Sequence, residues 1–349
     1  MPIQETLTGI TFPSPTLNIN TIPNPLAYFG SLLQLWVKAD VGITSATSPA
    51  VAVTASAITS NVGTVTITLN TAPNNVFTVG ETVTFAGLTN ATALNGTFTI
   101  LSLPTFSTLN VAVPAGTANV ASAAESAGTA TIPVVSVWAD QSSYGRNLSG
   151  SSNDPAIVPA SQNGLPGVVS SGANSNSDEL LRAAYSASMD FLSTTPFSVV
   201  LAFKPGSASD DAIGTGTGPG WYAGTYNSKP MLRLCNSQSV QAAVSGSIST
   251  VNGTPYIVQY INAGTGAASG IQIYVNGVLA TNTVILDNLA GASTQIGSSG
   301  VSLPAIAAGG GGFPSRATAY EAAVISKALT ARDVQIMDAY LNNKWAIHS

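Results

Sequence analysis

Charge is what this sequence has least of. Its 349 residues include 10 Lys and Arg and 15 Asp and Glu, 7% charged in all, where soluble domains usually carry about a quarter. A surface built instead from Ser, Thr, Asn, Gln, Ala and Gly is neutral and rich in hydroxyls and amides, and suits a subunit packed among others. The ten basic residues are scattered singly from Lys38 to Lys344 with a net charge of −5, which leaves no basic patch for nucleic acid. One cysteine, Cys235, excludes an internal disulfide and a cysteine zinc site. It follows Met231-Leu232-Arg233-Leu234, apolar but for Arg233, and reads as a small core residue. Mean hydropathy is +0.31, yet no apolar run approaches the roughly 18 residues that span a bilayer, so a membrane partner is not expected. The start, MPIQETLTGITFPSPTLNI, has neither the basic opening nor the apolar stretch of a secretory signal, and export by that route is not expected.

What is present is β pattern in two registers. Residues 1–31 carry prolines at 2, 13, 15, 23 and 25 among Thr and Asn and read as an extended arm. From 44 to 133 short alternating stretches recur: Gly63 to Leu69, Glu81 to Phe85, Gly96 to Leu101 and Thr108 to Val113. Asn74-Asn75, Val79-Gly80 and Asn95-Gly96 punctuate them. Such spacing predicts a small all-β module of antiparallel strands, with Ala/Ser/Thr-rich linkers at Thr44 to Ala55 and Ala118 to Thr131. Longer strands follow at Val134 to Trp138, Phe197 to Phe203, Tyr256 to Ile261 and Ile271 to Val275, the last ending in an Asn276-Gly277 hairpin turn. One amphipathic helix closes the chain over Thr330 to Trp345. Thr330 and Asp333 are spaced as a capping box, and Val334, Met337, Leu341 and Trp345 share one face.

Several of these pieces, in order, resemble the laminin-G-like, concanavalin A-like jelly-roll domains of phage and bacterial surface proteins. They are Leu35-Trp36-Val37-Lys38-Ala39-Asp40, Val137-Trp138-Ala139-Asp140-Gln141-Ser142, Asn163-Gly164-Leu165-Pro166, Phe197 to Phe203, Ile273-Tyr274-Val275-Asn276-Gly277, Gln295-Ile296-Gly297, and the ending from Ala328-Leu329-Thr330 through Tyr340-Leu341 to Lys344-Trp345. The resemblance implies an all-β fold: a jelly-roll sandwich over 32–43 plus 134–349, a small β-sandwich or barrel domain inserted at 44–133, and one C-terminal helix. The inserted strands, with Phe77 to Val83 and Asn95 to Phe98, are similar to small β modules of phage virion proteins.

The chemistry of catalysis is sparse. Glucanases on this jelly roll hold two carboxylates on one face of a strand, whereas the adjacent acids here, Asp178-Glu179 and Asp210-Asp211, would point to opposite faces. The single histidine, His348, is the penultimate residue, on an end expected to be mobile, and is poorly placed as a hydrolase base. Gly309 to Gly312 lacks the Lys-Ser/Thr of a phosphate-binding loop. No catalytic residue and no cofactor are expected. Calcium is the one metal with a candidate oxygen set, Asp140, Asn153 and Asp154 with Asn147 nearby. The competing reading of Asp140-Gln141-Ser142 is a turn whose side chains cap their own loop. For carbohydrate, Trp221, Tyr222, Tyr226 and Asn227 in the Gly-rich stretch Gly214 to Asn227 form the candidate aromatic platform, set against a packing role. Trp36, Trp138 and Trp345 fall in strand and helix patterns and read as core.

Two functions are expected, the first as the main reading and the second as its alternative. One is a virion structural protein of a tailed phage, a capsid decoration or head-fibre subunit assembled in the host cytoplasm and displayed on the virion surface. It would be homo-oligomeric and attached to capsid or tail subunits through its arm. The other is a lectin-like adhesin or receptor-binding tail component that binds host glycan. One scaffold hosts both.

Overall fold

The computed structural model describes residues 22–67, 77–105, 107–150, 155–170, 181–184, 186, 189, 191–215, 220–236, 241–289, 291–293, 296, 302–303 and 317–349. Residues 1–21 of the expected arm, Asn153, Asp154, Asp178, Glu179, Gln295, Gly297 and Gly309 to Gly312 lie outside these. The described end of the arm is not extended. Asn24 caps a short helix, α1 (Pro25–Phe29), by accepting from the Ala27 N–H at 2.8 Å, and Pro25 sits in the first turn, where a missing N–H costs nothing.

Strands β1 (Leu33–Lys38) and β2 (Ile43–Thr47) open the main sheet. The chain then forms β3 (Val51–Thr59), β4 (Val62–Ile67), β5 (Thr82–Ala86), β6 (Gly96–Thr105), β7 (Thr108–Ala112) and β8 (Val120–Thr131). These close a barrel in the order β3-β4-β7-β6-β5-β8. Alternate residues fill it, among them Ile58, Val65, Val83, Phe85, Ile100, Leu109 and Val111. Gly63 leaves room for the buried Leu94, whose Cδ2 would lie 2.5 Å from a Cβ placed there. The Ala/Ser/Thr-rich stretches at either end are therefore strands, not linkers. In β8 the residues Ala121 to Ala124 are exposed, so the ladder with β3 rests on backbone hydrogen bonds rather than apolar alternation.

β9 (Pro133–Trp138) pairs antiparallel with β2, and this two-stranded stem carries the barrel. Beyond it run β10 (Leu148–Ser149), β11 (Ala156–Gln162), β12 (Leu165–Val169), β13 (Leu181–Ala183), β14 (Phe197–Lys204), β15 (Asp210–Gly214) and β16 (Gly220–Tyr226). They are followed by β17 (Lys229–Cys235), β18 (Gln241–Gly246), β19 (Tyr256–Asn262), β20 (Ile271–Val275), β21 (Val278–Leu279), β22 (Asn282–Asp287), β23 (Ser302–Leu303) and β24 (Thr318–Ile325).

One layer of the jelly roll is β1-β24-β14-β19-β20-β21, and the other is β10-β13-β23-β15-β16-β17-β18-β22. Strands β9, β11 and β12 join them at one side. Hairpins at Asn163-Gly164, Asn227-Ser228 and Asn276-Gly277 place both turn residues at positive φ, the backbone twist that a two-residue antiparallel turn requires.

Helix α2 (Ala331–Trp345) covers the outer face of the first layer. Thr330 and Asp333 form the capping box, and Val334, Met337, Leu341 and Trp345 are buried, as the sequence predicts. Because one face of β24 meets the core and the other meets α2, every residue of that strand is buried. Two bulges redirect side chains. In β24, Ala202 opposes Glu321 while Phe203 opposes Ala319, so Tyr320 is the extra residue. In β1, Gln34 is extra, between Leu33 and Leu35.

Candidate functional site

The sequence-predicted aromatic platform is divided by the strand on which it lies. Residues 220–226 form β16, and neighbouring side chains of a strand take opposite faces. Trp221 enters the core, fully buried, with its ring centroid 5.4 Å from that of Phe197. Tyr222 takes the other face, 2% exposed, where Arg233 Nη1 donates to its hydroxyl and Met231 and Cys235 are its buried neighbours. Tyr226 is half-buried on that same face, and Asn227 is exposed in the hairpin turn. A sugar needs an open aromatic face, and neither Trp221 nor Tyr222 offers one. Trp36, Trp138 and Trp345 are buried, as predicted.

The calcium set fares similarly. Asp140 is 8% exposed and its carboxylate is filled by donors. Oδ1 accepts the N–H groups of Trp36 and Ser142, both at 2.8 Å, and Oδ2 accepts Ser142 Oγ at 2.6 Å and Arg146 N at 2.8 Å. Asn147 Oδ1 is also occupied, by the Asp140 N–H at 3.0 Å. Four N–H and O–H donors pointed at one carboxylate leave no lone-pair direction for a cation. Asp140 therefore caps its loop, and among the described residues no group of three or more His, Cys, Asp or Glu could hold a metal ion.

That cap also shapes an exposed loop of the jelly roll. With Asp140 as hub, residues 140–147 fold into a fixed loop that displays Tyr144, 42% exposed and the only aromatic among the exposed large hydrophobic side chains described. The Tyr144 hydroxyl donates to the Ser31 carbonyl at 2.9 Å, which fixes the ring's far edge. The Arg146 guanidinium carbon lies 4.0 Å from the ring centroid, covering one face. Arg146 Nη1 in turn donates to the Gln34 carbonyl. The bulge in β1 aims the Gln34 amide into the same corner, where Nε2 donates to Ser31 O at 2.9 Å and Ser326 Oγ at 3.2 Å. Ser143 and Asn147 of the same loop are exposed, and Leu32 is 40% exposed. The arrangement is an exposed aromatic ring fixed at its hydroxyl and covered on one face by a guanidinium, on a loop that also exposes Ser143 and Asn147, and such a pre-organised ring costs little ordering entropy to bind against.

Asp333, Glu125 and His348 are committed within the fold. Burial pushes the Asp333 carboxyl up, but bonds from Lys327, Thr330 and Tyr28 outweigh it and hold the group at about 2. Burial likewise opposes, and the donors of Ser56, Thr89 and Asn90 outweigh it, holding Glu125 at about 2. His348 is not on a loose end. Its N–H and that of Ile347 donate to Asn342 Oδ1 at 2.8 and 2.9 Å, and its ring meets Asp338 Oδ2 at 3.0 Å.

No family model and no curated protein matches the chain. Among solved structures it overlaps in part with the binding domain of Paraclostridial Mosquitocidal Protein 1, at TM-score 0.45 and 12% identity over 59% of this chain and 50% of that one. The botulinum neurotoxin serotype G binding domain gives TM-score 0.44 and 16% identity over 59% of this chain and 49% of that one. A third overlap is the Ruminococcus gnavus IT-sialidase CBM40 bound to α2,3 sialyllactose, at TM-score 0.33 and 13% identity over 41% of this chain and 81% of that one. The chain spans about half the length of the two toxin domains. No site residue is carried over from these likenesses.

Proposed function

We propose that the chain is a non-catalytic, lectin-like binding protein whose jelly roll presents the Tyr144 loop to a glycan. The observation that carries this reading is the exposed Tyr144 ring, fixed at its hydroxyl and stacked on Arg146, on a loop held by Asp140. Pyranose C–H faces stack on such rings, and the hydroxyls at the sugar's edge fit donors and acceptors such as Arg146, Asn147 and Ser143. The commitment of Asp140, Asp333, Glu125 and the Asp338–His348 pair to internal partners supports a binding role over hydrolysis. Electrophoresis through gels containing host-surface polysaccharide tests it. The wild type is retarded and Tyr144→Ala runs free; equal mobility of the two in every polysaccharide contradicts it.

A second role is favoured by one observation about the barrel. Between residues 44 and 133 the only charged side chains are Glu81 and Glu125, and both are buried. A charge-free wall, with Ala121 to Ala124, Leu101 and Leu103 exposed, associates at little desolvation cost. We read residues 44–133 as an inserted attachment domain and the whole as a subunit of a larger surface assembly. In its finer form, this is a decoration or fibre protein of a phage virion. Electron microscopy of particles from the source tests that placement.

A further inference from the structure

The last turn of α2 brings Lys344 against two carboxylates from distant parts of the chain. Lys344 Nζ lies 2.6 Å from Asp40 Oδ1, just beyond β1, and 2.8 Å from Glu321 Oε2 on β24. The side chains of Lys344, Asp40 and Glu321 are 16%, 22% and 2% exposed. Glu321 is already well served without the lysine. The indole N–H of Trp36 donates to its Oε1 at 2.6 Å and that of Trp345 to its Oε2 at 3.0 Å. The rings of Trp36 and Tyr340 are 6.2 Å apart, and the ammonium sits 4.8 Å from the Trp345 ring centroid. The bulge at Tyr320 makes this enclosure possible, because it lets Tyr320 stack on Trp345 at 5.3 Å beside Glu321.

One consequence follows from placing one ammonium in contact with two carboxylates beside aromatic rings. Fixing nitrogen and carboxyl in contact replaces a bimolecular encounter with an intramolecular one, worth orders of magnitude in effective concentration. That proximity favours condensation. We infer that Lys344 and Asp40 are joined by an amide bond, with Glu321 as the proton carrier.

The step balances without any co-reactant. One ammonium proton passes to Asp40, and the freed amine attacks Cγ of the resulting acid. A second proton passes from nitrogen to the Glu321 carboxylate, which returns it to the departing hydroxyl. The C–O bond breaks, one water leaves, and Glu321 ends as it began. The product ties the end of the first jelly-roll strand to the last turn of the last helix, so a pull on either end of that span is borne by a covalent link. This inference is independent of what the Tyr144 loop binds.

Intact-mass measurement and peptide mapping of the denatured full chain test it. The wild type is expected one water lighter than its sequence, with no tryptic cleavage after Lys344 and one branched peptide containing Asp40 and Lys344. Lys344→Arg keeps the ion pair but cannot form this amide, and is expected at its full sequence mass. Glu321→Gln, which lacks the proton carrier, is expected at full mass or to lose water far more slowly. If Glu321→Gln does not fold, the Lys344→Arg comparison decides. A wild type at full mass, with Lys344 and Asp40 in separate peptides, overturns the inference. So does a water loss that maps elsewhere, such as a succinimide at another Asp.

Discussion

Asp333 receives Lys327 Nζ at 2.8 Å, the Tyr28 hydroxyl at 3.0 Å, and both the N–H and the hydroxyl of Thr330, which fastens α1, the strand-to-helix turn and α2 at one carboxylate. Its pKa of about 2, like that of Glu125 in the barrel, lies below the value near 4 expected in an unfolded chain. For a depressed carboxyl the stabilisation is complete above the unfolded pKa and is lost as pH falls through the folded one. The melting temperature is therefore expected to hold down to about pH 4–5 and to fall steeply towards pH 2. Asp333→Asn and Glu125→Gln should each flatten that fall when the same scans are run. At Trp221 the expectation concerns packing alone. Trp221→Ala should cost about 3–5 kcal/mol in denaturant titration, the range for emptying a buried aromatic site. Tyr144→Ala should cost less, about 1 kcal/mol, since Tyr144 is 42% exposed and loses one hydrogen bond and one cation–π contact.

Helix α2 was legible in the sequence because its signals are local: a capping box at Thr330 and Asp333 and one buried stripe at helical spacing. Thr330→Ala should remove about 1 kcal/mol of stability, read as a lower melting temperature at neutral pH. The barrel strands with Val, Ile or Phe alternating with Thr were legible for the same reason. Other strands were not, β8 and β16 among them. β8 is largely Ala and Ser with an exposed half, so no apolar period marks it, and β16 carries Gly220 and Gly224, which imitate a loop. Reading β16 as a loop is what placed Trp221 and Tyr222 together on a surface. The bulges at Gln34 and Tyr320 are defined only by the register of partner strands distant in sequence, so no local pattern announces them. Tyr144 was missed because a lone tyrosine among Ser and Gly has no periodicity. The one available signal was the Asp140-Gln141-Ser142 turn, whose loop-capping alternative the structure shows.

The whole molecule divides its surface chemistry. Charged groups cluster around α2 and the jelly roll, while the barrel wall between residues 44 and 133 has none. Self-association or attachment through that wall should be insensitive to salt, since there are no exposed charges for counterions to screen. Sedimentation at low and high ionic strength checks this, and dissociation by salt would place the contact elsewhere. The central claim is that the Tyr144 loop of a non-catalytic jelly roll recognises glycan, and a glycan array probed in parallel with wild type, Tyr144→Ala and Tyr226→Ala tests it most directly. The account predicts a defined set of bound glycans for the wild type, loss of at least about tenfold in affinity for Tyr144→Ala, equivalent to about 1.4 kcal/mol, and little change for Tyr226→Ala. Binding untouched by Tyr144→Ala, or lost only with Tyr226→Ala, would contradict it.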